Sequence, residues 1–556
     1  NGMEGYVKLH YVPAEYNSSV SKTTEQNYFD WCIARLAKKL GETADYEFYL
    51  ARSLGYRNLF HPEKEYLWPR YASGKWRIMD TTSWHDYEMN YVSGNLWGYS
   101  SYVPHDVEGL IELIGGPAAF GRWLDRIYSD TTNLSGNQHV DISGFIGKYG
   151  HGDEPSHHMS YLYNYAGKPW KTQEVVRRVM DEFYTDQPDG LVNNEDLGQM
   201  SAWYIFSALG FYPVNPCGGY YDIGSPKVKE GVIHLENGNR FTVRAKNNSP
   251  RNIYIQSARL NGQPLDRNYI THEEIMGGGT LELTMGRKPD TQRGTIPASQ
   301  PSSRVELPNP AKLSKALPAP YVTDTVFVFD EPVDVTLHCD HSDATIHYTI
   351  DGTRPDHNSP KYRHPISLKR TTTLKAIALA DNHDPSPVMK QVYLKGMTFS
   401  GGEAIHIEVV SPPDIRGDQS GETHFNGVLS TTYHTDKEWS VWREQDAELT
   451  VDFGKVVTIG DVVVTYLDHT GMNIFPPSAI RLALEEQVGV FKPLVDVTDI
   501  GVQETLNPHV IRRKISFDPV NTRQLKIVVE RFGEMPLWYK GSGQPANLYV
   551  GEITIN

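Results

Sequence analysis

Two short stretches of the sequence bring carboxylates, amides, imidazoles and aromatic rings together. Residues 151–158 read His-Gly-Asp-Glu-Pro-Ser-His-His, and residues 189–204 read Asp-Gly-Leu-Val-Asn-Asn-Glu-Asp-Leu-Gly-Gln-Met-Ser-Ala-Trp-Tyr. Oxygen-rich side chains bind hydroxyl groups or a hard cation, and flat side chains stack on the face of a sugar. The combination predicts a site for a polyhydroxylated ring. For any single histidine or glutamate here, a place in an ordinary polar loop is the more common explanation.

A third stretch completes a pattern that is found in one family of enzymes. Residues 83–87 read Ser-Trp-His-Asp-Tyr, residues 94–97 read Gly-Asn-Leu-Trp, and residues 103–110 read Val-Pro-His-Asp-Val-Glu-Gly-Leu. Together the stretches resemble glycoside hydrolase family 92, the calcium-dependent exo-acting α-mannosidases. Members read roughly Gly-Asn-Glu-Pro-Ser-His-His in one motif and Gly-Asn-Asp/Glu-Asp-x-Gly-Gln-Met-Ser-Ala-Trp-Tyr in the other. The resemblance covers roughly residues 1 to 297.

The resemblance implies a reaction and the residues that perform it. The family removes terminal α-linked mannose from glycans with inversion, by water acting between two groups about 6.5 to 9.5 Å apart. Asp196 matches the general base of the family, and Asn194 holds the position that assists the base. The implied substrate-binding residues are His85, Asp86, Trp97, Asp153, Glu154, His157, His158 and Gln199.

Calcium is the cofactor that the resemblance implies. A Ca²⁺ ion takes about six to eight oxygen ligands, so we expect Glu154 and Asp196 to be its protein donors. His157 and His158 suit hydrogen bonds to sugar hydroxyls, because calcium does not favour nitrogen ligands. No histidine and cysteine spacing typical of a zinc site occurs in the sequence.

Ser93 departs from the family pattern at a catalytic position. The family has a glutamate, its general acid, immediately before Gly-Asn-x-Trp, and a serine hydroxyl is no usable proton donor at neutral pH. Glu88 could replace this acid only if the register of Gly94 and Asn95 differed. Three interpretations stay open: an ordinary α-mannosidase, a mannosidase specific for mannose-1-phosphate linkages, and a non-catalytic glycan-binding protein.

Composition limits the partners. A net charge of −15 and a pI near 5.8 disfavour a nucleic-acid partner and leave mannose-containing glycans as the expected ones. Cys32, Cys217 and Cys339 are odd in number and widely spaced, which predicts small buried side chains and no disulfide framework. The sequence contains no run of about eighteen apolar residues, so it predicts no membrane-spanning helix. The resemblance implies a bacterial protein that is secreted, periplasmic or held at the cell surface.

Residues 1–209 are predicted to be helical, and the resemblance implies the second half of an (α/α)6 catalytic barrel. One continuous helix is expected from about Asp106 to Tyr128. Another is expected from Ser21 to Leu40, with an apolar stripe formed by Tyr28, Phe29, Cys32, Ile33, Leu36 and Leu40. Both signature stretches should lie in loops that open helices. We expect the matching N-terminal β-sandwich and first half of the barrel, in the same protein or a companion chain, to cover the remaining helix faces.

The rest of the sequence predicts β modules. In residues 210–296, apolar and polar residues alternate in short runs, which indicates an antiparallel β module that closes the catalytic core. Residues 297–320 are rich in proline and serine and are predicted to form a linker. Residues 321–394 resemble the chitobiase-type immunoglobulin-like module. Residues 395–556 resemble the discoidin, or factor 5/8 C-type, β-sandwich, which includes many carbohydrate-binding modules. Its candidates for stacking on a sugar are Trp439, Trp442, Trp538 and Tyr539.

Overall fold

The computed structural model divides the chain into two compact units, Gly2–Ala316 and Leu317–Asn556. It describes residues 2–556 apart from 85, 86, 88, 137–141, 309–315, 382, 398–405, 433, 435, 506 and 507. The first unit is helical with a β region at its end, and the second is built mostly of β-strands. Within the described ranges, no helix has both the length and the apolar character needed to cross a membrane.

Helices dominate the first unit up to residue 209, in agreement with the sequence. Up to residue 209, the α-helices of the described residues are α1 Met3–Leu9, α2 Ser19–Leu40, α3 Thr43–Arg52, α4 Leu96–Ser101, α5 Val107–Ile114, α6 Pro117–Ser129, α7 Pro169–Glu182 and α8 Gln199–Leu209. The segments Gly55–Leu59 and Glu154–Asn164 are 3-10 helices. One cluster of buried aromatic and aliphatic side chains, Trp123 and Trp203 among them, connects these helices.

The single helix predicted from Asp106 to Tyr128 is in fact two helices, α5 and α6. Gly115 and Gly116 separate them with φ angles of 103° and 98°, a backbone conformation that glycine adopts without strain. Pro117 then opens α6 at a position where its missing N–H costs nothing. The apolar pattern runs on across the break, which is why periodicity alone predicts one helix.

The predicted apolar stripe of α2 is wrong at four of its six positions, while Tyr28 is buried and Cys32 is half-buried. Trp31 and Ala34 are buried, and the Trp31 ring lies 6.3 Å from the ring of His105. The opposite face carries four apolar side chains that are between 42% and 69% exposed, namely Phe29, Ile33, Leu36 and Leu40. The buried face carries polar side chains such as Asn27 and Asp30 beside its apolar ones, so residue type alone does not reveal which face meets the core. In this chain the outer stripe stays open to solvent.

The β region of the first unit contains a mixed sheet, which corrects the antiparallel module predicted for residues 210–296. Its five strands lie in the order Gln263–Pro264, Tyr254–Leu260, Gly279–Gly286, Arg240–Lys246 and Glu230–His234. The strand Gly279–Gly286 enters between two neighbours that run in opposite directions. It is therefore antiparallel to Tyr254–Leu260 and parallel to Arg240–Lys246. Sequence alternation marks strands but does not reveal such an insertion.

Part of the Pro/Ser-rich segment is attached to the helices of the first unit. The Ser303 hydroxyl accepts a hydrogen bond from the Val107 N–H at 2.9 Å. The Val305 N–H donates to the buried carboxylate of Asp106, also at 2.9 Å, and the Val305 side chain is itself buried. These contacts anchor the chain to the start of α5.

The second unit consists of β-sheets with separate cores. Within residues 321–394, the strands Thr345–Thr349 and Thr372–Leu379 pair antiparallel. A seven-stranded sheet follows. Its longest members, Ala447–Asp468 and His509–Glu530, pair along their length with β-bulges. The closing strand, Leu548–Ile555, is buried throughout.

Three of the four aromatic residues predicted to stack on sugars in the second unit are core residues. Trp439 and Trp442 are fully buried, and each indole N–H donates to a backbone carbonyl. Tyr539 is 8% exposed and donates to the Asn473 side chain. The stacking prediction is therefore wrong for these three residues. Trp538 is 53% exposed, so its ring is accessible from solvent and its role as a ligand contact stays a prediction.

The open face of α2 gives the first testable expectation. In the 556-residue chain by itself, the double substitution Ile33→Gln and Leu36→Gln should change the free energy of unfolding by no more than about 0.5 kcal/mol, because both side chains already meet water. Trp31→Ala, on the buried face of the same helix, should cost about 3 to 5 kcal/mol. Urea unfolding followed by circular dichroism measures both. Equal losses would mean that the outer face is packed in solution.

Candidate functional site

Two glycines let three polar loops approach one another in the first unit. A Cβ added at Gly94 would lie 2.6 Å from Oδ2 of Asp153, and one added at Gly152 would lie 2.9 Å from Cβ of Asn193. The Asn193 amide donates to the carbonyl oxygen of Gly152 at 2.8 Å. The loops that carry the sequence motifs therefore lie side by side. We call them the three-loop cluster, which comprises residues 93–95, 151–154 and 193–196.

The loop before α8 holds Asp196 in a strained backbone. Asp196, Leu197 and Gly198 have φ angles of 30°, 56° and 83° in succession. A left-handed conformation costs a non-glycine residue about 1 to 3 kcal/mol and persists only where the surroundings enforce it. Asn194 and Asp196 are both exposed. The structure thus presents a carboxylate and a neighbouring amide to solvent at the start of a helix.

Glu195, for which the sequence suggests no role, anchors this loop. Its carboxylate accepts hydrogen bonds from the backbone N–H of Ser201 at 3.0 Å and from the Ser201 hydroxyl at 2.7 Å. The first bond satisfies an N–H that the opening turn of α8 leaves without a helical partner. The negative charge also suits the positive end of the helix dipole. A carboxylate a few residues before a helix start is the signal that could have predicted this role.

Ser93, at the predicted acid position, also has a left-handed backbone, with a φ angle of 44°. It is half-buried and directly precedes the close contact of Gly94 with Asp153. Asn95 then caps α4, since its side chain accepts the Gly98 N–H at 2.9 Å. Two of the three residues predicted to be catalytic thus have a strained backbone, a feature that clusters at functional sites.

His157 and His158 are buried and bind protein groups through their rings. Nε2 of His157 lies 2.9 Å from the His151 carbonyl oxygen, and its Nδ1 accepts from the Gln199 amide at 3.1 Å. Nε2 of His158 lies 2.8 Å from the Ser101 carbonyl oxygen. Because a carbonyl only accepts, we assign the proton to Nε2 in both rings. Sugar binding by the two histidines and Gln199 stays a prediction, while in the structure they hold the loops together.

These histidines belong to an uncharged aromatic network. Burial lowers the pKa of His157 and of His158 to about 4, and it lowers the pKa of His151 well below the usual value. The His151 ring stacks on His157 at 4.5 Å and binds the hydroxyls of Tyr149 and Tyr184 at 2.8 and 2.7 Å. Neither tyrosine belongs to a sequence motif, so spacing gave no sign of this network.

Trp97 lines a cavity of about 620 Å³ together with Trp84 and Phe145. The Lys148 ammonium lies 5.3 Å from the centre of the Trp97 ring, and Asn95 also faces this space. Flat rings beside a few polar groups are a typical lining for a small polar ligand. His85 and Asp86, which the resemblance implies as substrate-binding residues, lie outside the described residues, as does Glu88.

The carboxylates of the three-loop cluster have the chemistry that a hard cation prefers. Asp153 is buried, Glu154 is half-buried in the first turn of its 3-10 helix, and Asp196 is exposed. In the parts of the chain that the structure describes, no three His, Cys, Asp or Glu side chains are grouped closely enough to hold a metal. A calcium ion needs about six to eight oxygens. The donor type therefore fits calcium, but these side chains alone do not complete its coordination.

Comparison with known proteins identifies the family of the first unit. The model of the glycosyl hydrolase family 92 catalytic domain matches residues 1–287. A second model, described as Fn3 associated, matches residues 335–393 in the second unit. The chain belongs to glycosyl hydrolase family 92, which confirms the family resemblance of the motifs.

Individual relatives agree with this assignment. An uncharacterized secreted glycosidase of Arthroderma benhamiae is 30% identical over 323 residues, which are 52% of this chain and 39% of that protein. The structure of a family GH92 α-mannosidase from Bacteroides thetaiotaomicron in complex with mannoimidazole is 38% identical, with a TM-score of 0.52, over 55% of this chain and 41% of that one. The chain thus spans about two fifths of the length of these relatives, 39% and 41%.

The buried histidines predict a loss of stability in acid. Folding keeps both rings neutral down to about pH 4, whereas the unfolded chain takes up these protons near pH 6.5. Each histidine therefore contributes stability that is complete above pH 6.5 and falls by about 1.4 kcal/mol per pH unit between pH 6.5 and 4.

We expect His158→Gln to reduce this pH slope of the free energy of unfolding by about 1.4 kcal/mol per pH unit. His234→Gln, which changes an exposed histidine, should leave the slope as it is. Urea unfolding at a series of pH values measures the slope. An unchanged slope in His158→Gln would show that this ring is already charged in the folded protein.

Proposed function

We propose that this chain supplies the catalytic base and part of the sugar-binding surface of an exo-acting α-mannosidase. The observation that carries the proposal is the Asp196 loop. Its exposed carboxylate is held by successive left-handed residues at the start of α8, next to the loops of Gly94 and Gly152. Membership of glycosyl hydrolase family 92 and the likeness to an α-mannosidase support this function.

In the proposed reaction, Asp196 takes a proton from a water molecule as that water attacks the anomeric carbon of a terminal α-linked mannose. The glycosidic bond breaks on the opposite side, its electron pair leaves with the departing oxygen, and the configuration inverts. Asn194 cannot ionise, so its part is to orient the water through a hydrogen bond. Glu195 is held by Ser201 and acts through the position of the loop.

We propose that calcium binds at this site with Glu154 and Asp196 as protein donors. The ion would polarise and orient the sugar hydroxyls when bound. Since two carboxylates supply too few oxygens, water, sugar hydroxyls and segments beyond this chain would provide the others. Calcium should raise the melting temperature of the intact protein, and a chelator should reverse the rise, whichever substrate is cleaved.

Ser93 favours a second candidate function, the cleavage of mannose-1-phosphate linkages. General acid catalysis accelerates a reaction by about 100 to 10,000-fold, so its loss raises the barrier by roughly 3 to 5 kcal/mol. A phosphate leaving group needs no proton to depart and escapes this loss. Mannose release from α-1,2-mannobiose and from a mannose-1-phosphate diester, each measured with calcium and with a chelator, distinguishes the two functions. Binding of mannan without release of mannose would instead indicate a glycan-binding protein.

We also propose how the chain is used in the complete protein. The helices up to residue 209 would form half of an (α/α)6 barrel, and the other half with its β-sandwich would cover the open stripe of α2. The second unit would provide a chitobiase-type module and a discoidin-like carbohydrate-binding module, with Trp538 exposed for a ligand. Export from a bacterial cell fits a glycan-degrading enzyme, and the relative from Arthroderma benhamiae is described as secreted.

Replacement of the proposed base should nearly abolish turnover. Asp196→Asn should lower kcat by about 100 to 10,000-fold with little change in KM, because the amide keeps the shape of the side chain and cannot accept the proton. Asp189→Asn, an exposed change in the same connecting segment, should keep the parent kcat. Steady-state release of mannose by the intact protein measures both. Parent-like kcat in Asp196→Asn would assign the base to another residue.

Restoring a carboxyl group at position 93 should create activity on unactivated mannosides. Ser93→Glu should raise the rate on α-1,2-mannobiose by about tenfold or more, since it supplies the missing acid. Ser93→Gln has nearly the same size but no acidic proton, and it should give no gain. The rates on mannobiose and on the phosphodiester are compared in all three forms. An equal gain with glutamine, or none with glutamate, would rule out position 93 as the acid site.

A further inference from the structure

Cys32 and Cys217 are far apart in the sequence but lie together in the first unit. Cys32 is on α2, one turn after Tyr28, and Cys217 follows the strand Phe211–Tyr212. The Tyr28 hydroxyl oxygen accepts a hydrogen bond from the Cys217 N–H at 3.2 Å, and the same hydroxyl donates to Oδ1 of Asn215 at 3.0 Å. The backbone of Cys217 is therefore fixed beside the turn of α2 that leads to Cys32.

The Cys32 and Cys217 side chains lie close enough to interact, since the Cys217 thiol contributes to the raised pKa of Cys32. Cys217 is exposed and Cys32 is half-buried, which corrects the sequence prediction of small buried side chains. A second bond fixes the turn, because Oδ1 of Asn215 also accepts the Cys217 N–H at 3.2 Å. Cys339 belongs to the second unit and hydrogen-bonds the Pro318 carbonyl oxygen there at 3.6 Å.

Exposure makes Cys217 the thiol that meets an oxidant first. Burial, aided by the adjacent Cys217 thiol, raises the pKa of Cys32 to about 12, so little Cys32 thiolate exists at neutral pH. In exchange with glutathione disulfide, the Cys217 thiolate attacks one sulfur, forms a mixed disulfide and releases one glutathione. The Cys32 sulfur then gives up its proton to water and displaces the second glutathione. Two protein thiols are oxidised to one disulfide, and one glutathione disulfide is reduced to two glutathiones.

We propose that Cys32 and Cys217 are an oxidisable pair that closes to an intramolecular disulfide when the protein meets a disulfide oxidant. The bond would join α2 to the segment that follows α8. A cross-link between residues so distant in sequence restricts the unfolded chain strongly and thereby stabilises the folded one. The proposal concerns the helical scaffold, and it holds whether or not the chain cleaves mannosides.

Thiol counting tests the pair. The reduced protein is incubated with glutathione disulfide, acid-quenched, unfolded and alkylated, and its intact mass gives the number of free thiols. The chain has three cysteines, so the count should fall from three to one, and peptide mapping should find Cys32 joined to Cys217. Cys339→Ser should still lose two thiols, whereas Cys217→Ser should keep both that remain. Three free thiols, a persistent glutathione adduct or a disulfide-linked dimer in the parent protein would overturn the proposal.

Thermal unfolding gives an independent measure. Oxidation should raise the Tm of the helical unit in the parent protein by about 5 °C. Cys217→Ser changes an exposed side chain, so it should have the Tm of the reduced parent under both conditions. If the oxidised parent protein contains the mapped disulfide but its Tm does not exceed that of Cys217→Ser, the disulfide forms without stabilising the fold. The stabilising role would then be rejected.

Discussion

The close contact of backbone with side chain at Gly94 and Gly152 is the constraint on which the rest of the site depends. At Gly94 the missing Cβ leaves room for the buried carboxylate of Asp153, and at Gly152 it leaves room for Asn193. Any larger residue would push the loops apart by the width of a methyl group. The three-loop cluster therefore exists because two glycines bring segments from distant parts of the chain to within contact distance. Every proposed role of Asp196, Ser93 and Glu154 presupposes that contact.

A strained backbone needs a rigid support, and the neutral histidines supply it. Hydrogen bonds from His157 to the His151 carbonyl and from Gln199 to His157 tie the middle loop to the first turn of α8. Glu195 ties the last loop to the same turn. These bonds hold the backbone on both sides of Asp196 in place and so maintain its left-handed conformation. The Asp196 carboxylate therefore stays exposed to solvent. Burial keeps these rings neutral, and for the same reason acid, which protonates them in the unfolded chain, lowers the stability of the fold.

Local signals in the sequence predict the parts of the structure that local chemistry controls. The motifs fall in loops that open helices, and α8 begins one residue after Gly198. The sequence fails where the answer depends on a distant partner. Nothing in the pattern of α2 tells which face meets the core, because buried polar residues lie on it, and nothing near Cys217 tells that α2 lies beside it. The mixed sheet is missed for the same reason, since a strand inserted between two others leaves no local trace.

In the proposed reaction, serine at position 93 limits the chemistry more than any other single residue of the site. With Asp196 as the proposed base and no acid, the leaving oxygen would have to depart as an anion, and an alkoxide from a sugar hydroxyl is far too basic for that. The barrier rises by the roughly 3 to 5 kcal/mol that an acid would have removed. A phosphate is stable as an anion, so the missing acid would not slow the cleavage of a mannose-1-phosphate linkage. On that proposal, the identity of one side chain separates two substrates that would share the same mannose ring, the same base and the same attacking water.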